Sequence, residues 1–282
     1  MNRQEVKVDT LVAERARMIA DDRTHGAGWL ARNAVEALAE AVARGADPLE
    51  SGRALVSARP AMGAIAGAVG RVLAAGRTPE LLLEECRALV DRRDRAAHSI
   101  AVLLKPFLLS RVMTHSSSAT VREALLYSEP SRVVCTVARP YDEGRAFADE
   151  LRETGLAVDL VAEEDAGHAL ETVDVLLLGA DCVFRDGAFA NRVGTRELAA
   201  TATERGVPVL VAFETLKLAP FDAPGPGEDD WEDEEPFDLT PAEYVDRYVT
   251  DEGDFDPADI AALVDQTPFL KEGWELLSGS RR

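Results

Sequence analysis

The apolar positions change rhythm once along the chain. Through residues 8–104 they recur at helical spacing, in "DTLVAERARMIADD" (9–22), "GWLARNAVEALAEAVARGAD" (28–47), "AMGAIAGAVGRVLAAG" (61–76) and "TPELLLEECRALVDRRDRAAHSIAVLL" (78–104). The second pattern stops at Gly45. The third is rich in alanine and glycine, which suits close helix packing. The fourth opens on a Thr78 cap with Pro79 at the first helical position. No strand pattern competes in this region.

From about residue 106 short apolar runs alternate with helical segments. The runs are "RVMTH" (111–115), "RVVCTVA" (132–138), "AVDLVA" (157–162), "VDVLLLGA" (173–180) and "VPVLVAF" (207–213). Between them lie "TVREALLY", "DEGRAFADELRETG", "EEDAGHALET" and "RELAATATERG". That alternation predicts an α/β fold: a mostly parallel sheet with crossover helices. Ligands of such sheets bind beyond the carboxyl ends of the strands. Those ends read "THSSSAT", "ARPYDEGR", "GADCVFRDG" and "FETLK", the most polar stretches of this half. Residues 221–238, "FDAPGPGEDDWEDEEPFD", read as a solvated acidic surface loop. Then "TPAEYVDRYVTDEGDFDPADIAALV" predicts a short strand or helix, a turn at Glu252-Gly253 and a last helix.

Charge narrows the function. The 282 residues carry a net charge of −20, and lysine occurs only at Lys7, Lys105, Lys217 and Lys271. Such an acid excess, with arginine in place of lysine, suits a protein kept soluble in a salty cytoplasm, or one from a genome of acidic bias. Either way no direct nucleic-acid binding is expected, because that needs a basic face. Cys86, Cys135 and Cys182 are odd in number, widely spaced and contain no CxxC pair. They read as buried small hydrophobes in a reducing compartment, not as a disulfide framework or metal site. With no apolar leader and no run of about 20 apolar residues, the expectation is a cytoplasmic protein with no membrane contact.

Three stretches carry candidate chemistry. In "THSSSATVREALL", Thr120 and Glu123 stand at capping-box spacing, so a helix is expected to begin there and offer amides to an anion beside Ser116–Ser118. Ser116 beside His115 is not read as a nucleophile pair: neighbours on a strand point to opposite faces, and no GxSxG elbow is present. Arg59 and Arg139 each precede a proline and could fork onto phosphate, or simply pair with surface acids. In "LLLGADCVFRDGAFANRVGTRELA" (176–199), a buried strand ends on Asp181 and restarts at Asn191, Gly194 and Thr195. That mix reads as a site for a phosphorylated polar metabolite, with a purely structural turn as the alternative.

In order, "THGAGWLARNA", "SARPAMG", "VMTHSSSATV", "VARPYDEGR", "GADCVFRDGAFANRVGT", "FETLKLAP" and "FDLTPAEYVDRYVTDEG" resemble the motifs of the initiation factor 2B alpha/beta/delta superfamily. That superfamily includes methylthioribose-1-phosphate and ribose-1,5-bisphosphate isomerases. The resemblance covers nearly the whole chain. It implies an N-terminal helical domain (1–105) on a Rossmann-like domain (106–282), a homodimer or higher homo-oligomer, and no cofactor. In the isomerases a cysteine and an aspartate convert an aldose phosphate to a ketose phosphate. The aspartate corresponds to Asp181. The cysteine corresponds to Ser116, a break in the pattern, since a hydroxyl does not ionise near neutrality. His25 stands where those enzymes have arginine, Val137 and Ala138 stand where an acid precedes Arg-Pro, and Arg192 replaces a lysine. The implied substrate-binding set is Gly26, Ala27, Arg59, Arg139, Asn191, Arg192, Gly194, Thr195 and Lys217. The preferred expectation is a regulatory sugar-phosphate- or nucleotide-binding protein, possible subunit of a translation factor. The alternative is a ribose-1,5-bisphosphate isomerase or related enzyme.

Overall fold

The computed structural model describes residues 9–22, 25–60, 62–224 and 237–278. Most of the acidic stretch, 225–236, lies outside the described residues. Five helices come first: α1 (Thr10–Asp21), α2 (Ala27–Ala43), α3 (Pro48–Val56), α4 (Gly63–Ala75) and α5 (Pro79–Leu104). Thr78 accepts a hydrogen bond from the Leu81 amide and Pro79 fills the first helical position, as the sequence predicts. The helix α3 begins on an Asp47 cap whose side chain accepts from the Glu50 amide.

The sheet strands fall inside the predicted apolar runs: β1 (Arg111–Thr114), β2 (Arg132–Thr136), β3 (Val158–Val161) and β4 (Val175–Gly179). After β5 (Cys182–Val183) and β6 (Phe189–Arg192) come β7 (Val209–Ala212), β8 (Phe237–Thr240), β9 (Arg247–Thr250) and β10 (Gly253–Phe255). Helices α6 (Ala119–Ser128), α7 (Glu143–Glu153), α8 (Glu163–Leu170) and α9 (Thr195–Glu204) cross between strands. The chain then forms α10 (Ile260–Gln266) and α11 (Leu270–Ser278), two helices where the sequence predicts one.

The seven-stranded sheet has the order β10-β9-β7-β4-β1-β2-β3 and is parallel except at the β9–β10 edge. Its inner strands, β4 and β7 above all, are buried on both faces. In β4, Leu176 and Leu178 enter a core with Leu198 and Ala202, while Val175 and Leu177 enter another with Val121 and Phe147. This is why continuous apolar runs, not alternating ones, encode the strands. Strands β5, β6 and β8 form a separate antiparallel sheet. The sequence reading treats that segment as a polar turn.

The sheet order reverses at β1, between β4 and β2. Such a reversal splays the connecting loops to opposite faces and leaves a crevice at the strand ends. The helical layer closes over it. A Cβ at Gly67 of α4 would overlap the Leu216 carbonyl oxygen, so only glycine lets this helix lie directly on the 214–218 segment. On the far side, Gly70 of α4 meets Gly273 of α11 backbone to backbone. Residues from beyond 106 thereby complete the helical layer, with Phe237 in its core and Leu277 packed against it. No helix among the described residues is long and apolar enough to cross a membrane.

Candidate functional site

A cavity of about 310 Å³ opens at the switch point. Loops after four sheet strands and the start of α2 build it, so residues distant in sequence converge. The β1 loop contributes Ser116–Thr120, the β4 loop Gly179–Asp181, α7 Glu143, the segment after β7 Glu214 and Lys217, and α2 the backbone at Gly26–Gly28. Asn191 and Arg192 close the side formed by β6. The N-termini of α2 and α6 both face the space, and unpaired amides there favour an anion.

Ser116 is buried and sits at φ +66°, an uncommon backbone region for a residue with a Cβ. In that conformation its hydroxyl donates to Glu143 Oε1 at 2.7 Å. The same oxygen lies 2.9 Å from Arg192 Nε. The Arg192 guanidinium also lies over the Phe237 ring, 4.8 Å from its centroid. His115, which like Ser116 lies beyond the end of β1 and not in the strand where the sequence reading placed the pair, bonds elsewhere. Its Nε2 donates to the Val193 carbonyl at 3.0 Å, and its Nδ1, 2.6 Å from Thr136 Oγ1, accepts. Burial pushes its pKa down and outweighs the Val193 bond and the Glu163 charge, so the ring is neutral and holds the 193–195 turn. His115 is a support, not a base for Ser116.

The opposite wall is a buried ion pair. Lys217 Nζ lies 3.1 Å from Glu214 Oε2, and Thr120 donates its hydroxyl to Glu214 Oε1 at 2.8 Å. Burial works against the Glu214 charge, but Lys217, Thr120 and a backbone amide outweigh it and hold the carboxyl below its ordinary value. Thr120 is therefore not the helix cap that its spacing with Glu123 predicts. The cap of α6 is Ser118, which accepts from the Val121 amide, and tertiary pairing claims Thr120. Asp181 lines the cavity half-buried, with its amide donating to the Ala190 carbonyl at 2.9 Å. At the rim, His25 stacks on Trp29 at 3.8 Å between centroids, and its Nδ1 is 2.7 Å from Asp22 Oδ2.

Of the residues expected at the site, Gly26, Ala27, Ser116, Asp181, Asn191, Arg192 and Lys217 line this cavity. Four do not. Arg59 is buried, and its Nε and a terminal nitrogen donate to the carbonyls of Ile19 and Asp22, tying down the end of α1. Arg139 is exposed on the outer surface, where Nε pairs with Glu163 at 3.0 Å and a terminal nitrogen with Glu164 at 2.7 Å. Gly194 takes φ +97° at the start of α9, and a Cβ there would press on the His115 ring. Thr195 is buried, donating to the Arg192 carbonyl and accepting from Asn191 Nδ2. The last two support the wall without lining it.

Sequence reasoning missed Glu143, Glu214, Arg122 and Glu150 among the lining residues. Glu143 and Glu214 lie inside motifs already quoted, and a carboxylate in the first turn of a helix at a strand's carboxyl end was the available signal. Arg122 and Glu150 pair across α6 and α7, which no local pattern reveals.

Fold and cavity together define an α/β protein with a polar ligand-sized crevice at the switch point of a parallel sheet. The sequence profile of the initiation factor 2 subunit family matches residues 23–223, and the chain belongs to that family. It is 35% identical to the ribose 1,5-bisphosphate isomerase of Haloferax volcanii over 54% of this chain and 55% of that protein. It thus spans little more than half the length of that relative. To the ribose 1,5-bisphosphate isomerase of Archaeoglobus fulgidus it is 28% identical over 87% of this chain and 90% of the other. The crystal structure of the Pyrococcus horikoshii translation initiation factor eIF-2B superposes with a TM-score of 0.78 at 25% identity, covering 90% of this chain and all of that one.

Proposed function

We propose that the cavity binds a phosphorylated sugar and that the protein is a ligand-binding, regulatory member of its family, not a thiol-dependent isomerase. The observation that carries this reading is Ser116. The position where the family's isomerases place a cysteine holds a hydroxyl whose hydrogen is already given to Glu143 at 2.7 Å. A serine hydroxyl beside a carboxylate stays protonated at neutral pH, so proton transfer through a thiolate has no counterpart here. The binding function keeps its parts. The N-termini of α2 and α6 with Lys217 would hold the phosphate, and Asp181, Glu143 and Asn191 would accept or donate to sugar hydroxyls. A cytoplasmic homo-oligomer that responds to a sugar phosphate is the corresponding biological unit.

A second reading is an aldose–ketose isomerase acting on ribose 1,5-bisphosphate. The names of the archaeal relatives favour it, as does the presence of Asp181 and Glu143 in one cavity. In that case the two carboxylates would share the proton movements between C1 and C2. A proton and phosphorus NMR time course with ribose 1,5-bisphosphate in high potassium chloride separates the two. Binding without conversion supports the regulatory reading. Conversion to ribulose 1,5-bisphosphate that Asp181→Ala abolishes overturns it in favour of the enzyme. Neither binding nor conversion rejects both.

A further inference from the structure

One face of α7 sets the charge at the ligand cavity. Glu143, Phe147 and Glu150 recur along that helix at spacings of four and three, so they share a face, and all three line the cavity. Each carboxylate takes an arginine from another element. Glu143 holds Arg192 of β6, and Glu150 holds Arg122 from the first turn of α6. Glu214 holds Lys217 on the opposite wall. Among the described lining residues every lysine and arginine thus already faces a carboxylate, and Asp181 adds a fourth acid against three such cations. The two arginines that could have redressed this balance are engaged elsewhere, Arg59 on the end of α1 and Arg139 on Glu163 and Glu164 at the outer surface.

The Arg122–Glu150 pair stands apart from the Lys217 pole. Thr120 and Arg122 are two residues apart on α6, hence about 200° apart around its axis. Thr120 turns inward to Glu214, whereas Arg122 turns to α7, partly open to solvent with Glu150. With one phosphate held at Lys217, a second would have to find its cation at this outer pair, and Glu150 cancels the charge it would need. The acid excess of the walls repels a second phosphate as well.

We propose that Glu150 is a specificity-determining residue, which restricts the cavity to sugars carrying one phosphate by neutralising Arg122 at its mouth. The inference rests on the reading of the cavity as a sugar-phosphate site and names the class of ligand it takes. A single phosphate meets Lys217 and the amides of α6, and the neutral hydroxyls of the sugar lie along acid-rich walls whose carboxylates accept from them. A bisphosphate sets a second anion against those same walls.

The test is calorimetric titration of the full chain with ribose 5-phosphate and with ribose 1,5-bisphosphate at equal ionic strength. The bisphosphate is expected to bind the wild type roughly tenfold more weakly, and Glu150→Gln to improve its affinity roughly fivefold relative to that of the monophosphate. The double variant Glu150→Gln with Arg122→Gln should lose that gain, which a merely structural role of Glu150 would not produce. A bisphosphate that binds the wild type as well as ribose 5-phosphate, or better, overturns the inference while keeping the sugar-phosphate reading. So does an equal change for the two sugars in Glu150→Gln, no change for either, or a gain that survives in the double variant. Binding of neither sugar to the wild type rejects the sugar-phosphate reading itself, and the inference with it.

Discussion

Ser116 gives its hydroxyl hydrogen to Glu143 Oε1 at 2.7 Å, the same oxygen that Arg192 Nε approaches to 2.9 Å. This carboxylate decides what any group at position 116 can do. A thiol placed there by Ser116→Cys would face a negative neighbour, which raises its pKa and keeps it protonated. Ser116→Cys alone is therefore expected to remain a poor nucleophile, and Ser116→Cys with Glu143→Gln to ionise roughly a unit lower. Alkylation rate by iodoacetamide against pH measures this. The native cysteines do not interfere, since all three are buried and burial pushes Cys86 and Cys135 up to about 12. Identical profiles for the single and double variants would show that Glu143 does not govern the position.

The Glu214–Lys217 pair predicts a pH signature. In the fold the Glu214 carboxyl lies below its ordinary 4.5. Its contribution to stability is complete above that value and is lost as pH falls through the lower, folded one. Glu214→Gln leaves a buried Lys217 charge unpaired and is expected to cost roughly 3 kcal/mol or more at pH 7. The gap to the wild type should narrow below pH 4.5. Urea unfolding at pH 7 and pH 4 checks both statements, and a gap of the same size at both would show that the ionisation of Glu214 does not set it.

Asp238 works in the opposite direction. Burial raises its pKa to about 6 from 3.8, against the amides of Arg196 and Gly194 that it accepts from. The folded state holds the proton more tightly, so stability from this group is lost as pH rises from 3.8 through 6. Asp238→Asn keeps an acceptor oxygen and removes the titration. Its Tm relative to the wild type is expected to be higher at pH 7 than at pH 4. Differential scanning fluorimetry at the two values reads the change, and a constant difference would refute it.

Arg139 and Lys217 separate surface pairing from ligand contact. Arg139 belongs to an exposed cluster with Glu163 and Glu164, whereas Lys217 is buried at the cavity wall. Arg139→Ala should leave the affinity for ribose 5-phosphate within about twofold, while Lys217→Met should lower it about tenfold, the loss of about 1.4 kcal/mol. Calorimetric titration of both variants provides the comparison. A large effect of Arg139→Ala would return that arginine to the site.

The sheet was legible because its burial is simple. Val175, Leu176, Leu177 and Leu178 face apolar cores on both sides, so the strand shows as an unbroken run in the sequence. The cavity was legible where backbone geometry makes it, at the ends of β1 and β4. What escaped was pairing at a distance. Nothing local to Arg139 announces that Glu163 and Glu164 will claim it. Nothing local to Thr120 announces Glu214, whose carboxylate overrides a sound capping signal. Arg59 escaped for the same reason, since the carbonyls it satisfies belong to a helix some forty residues earlier. The strands β6 and β8 pair with each other across the acidic stretch, so each alone reads as loop.

The glycine-to-glycine crossing of α4 and α11 also orders events in time. The helix α4 reaches its partner only after roughly two hundred further residues have been made, about 10–40 s at the pace of protein synthesis. Until then the face of α4 at Gly70 is a bare groove on a nascent chain. No side chain at Gly70 screens the backbone there, and the seam is closed by a late arrival. The helical layer that is first in sequence is therefore among the last parts of the molecule to be finished.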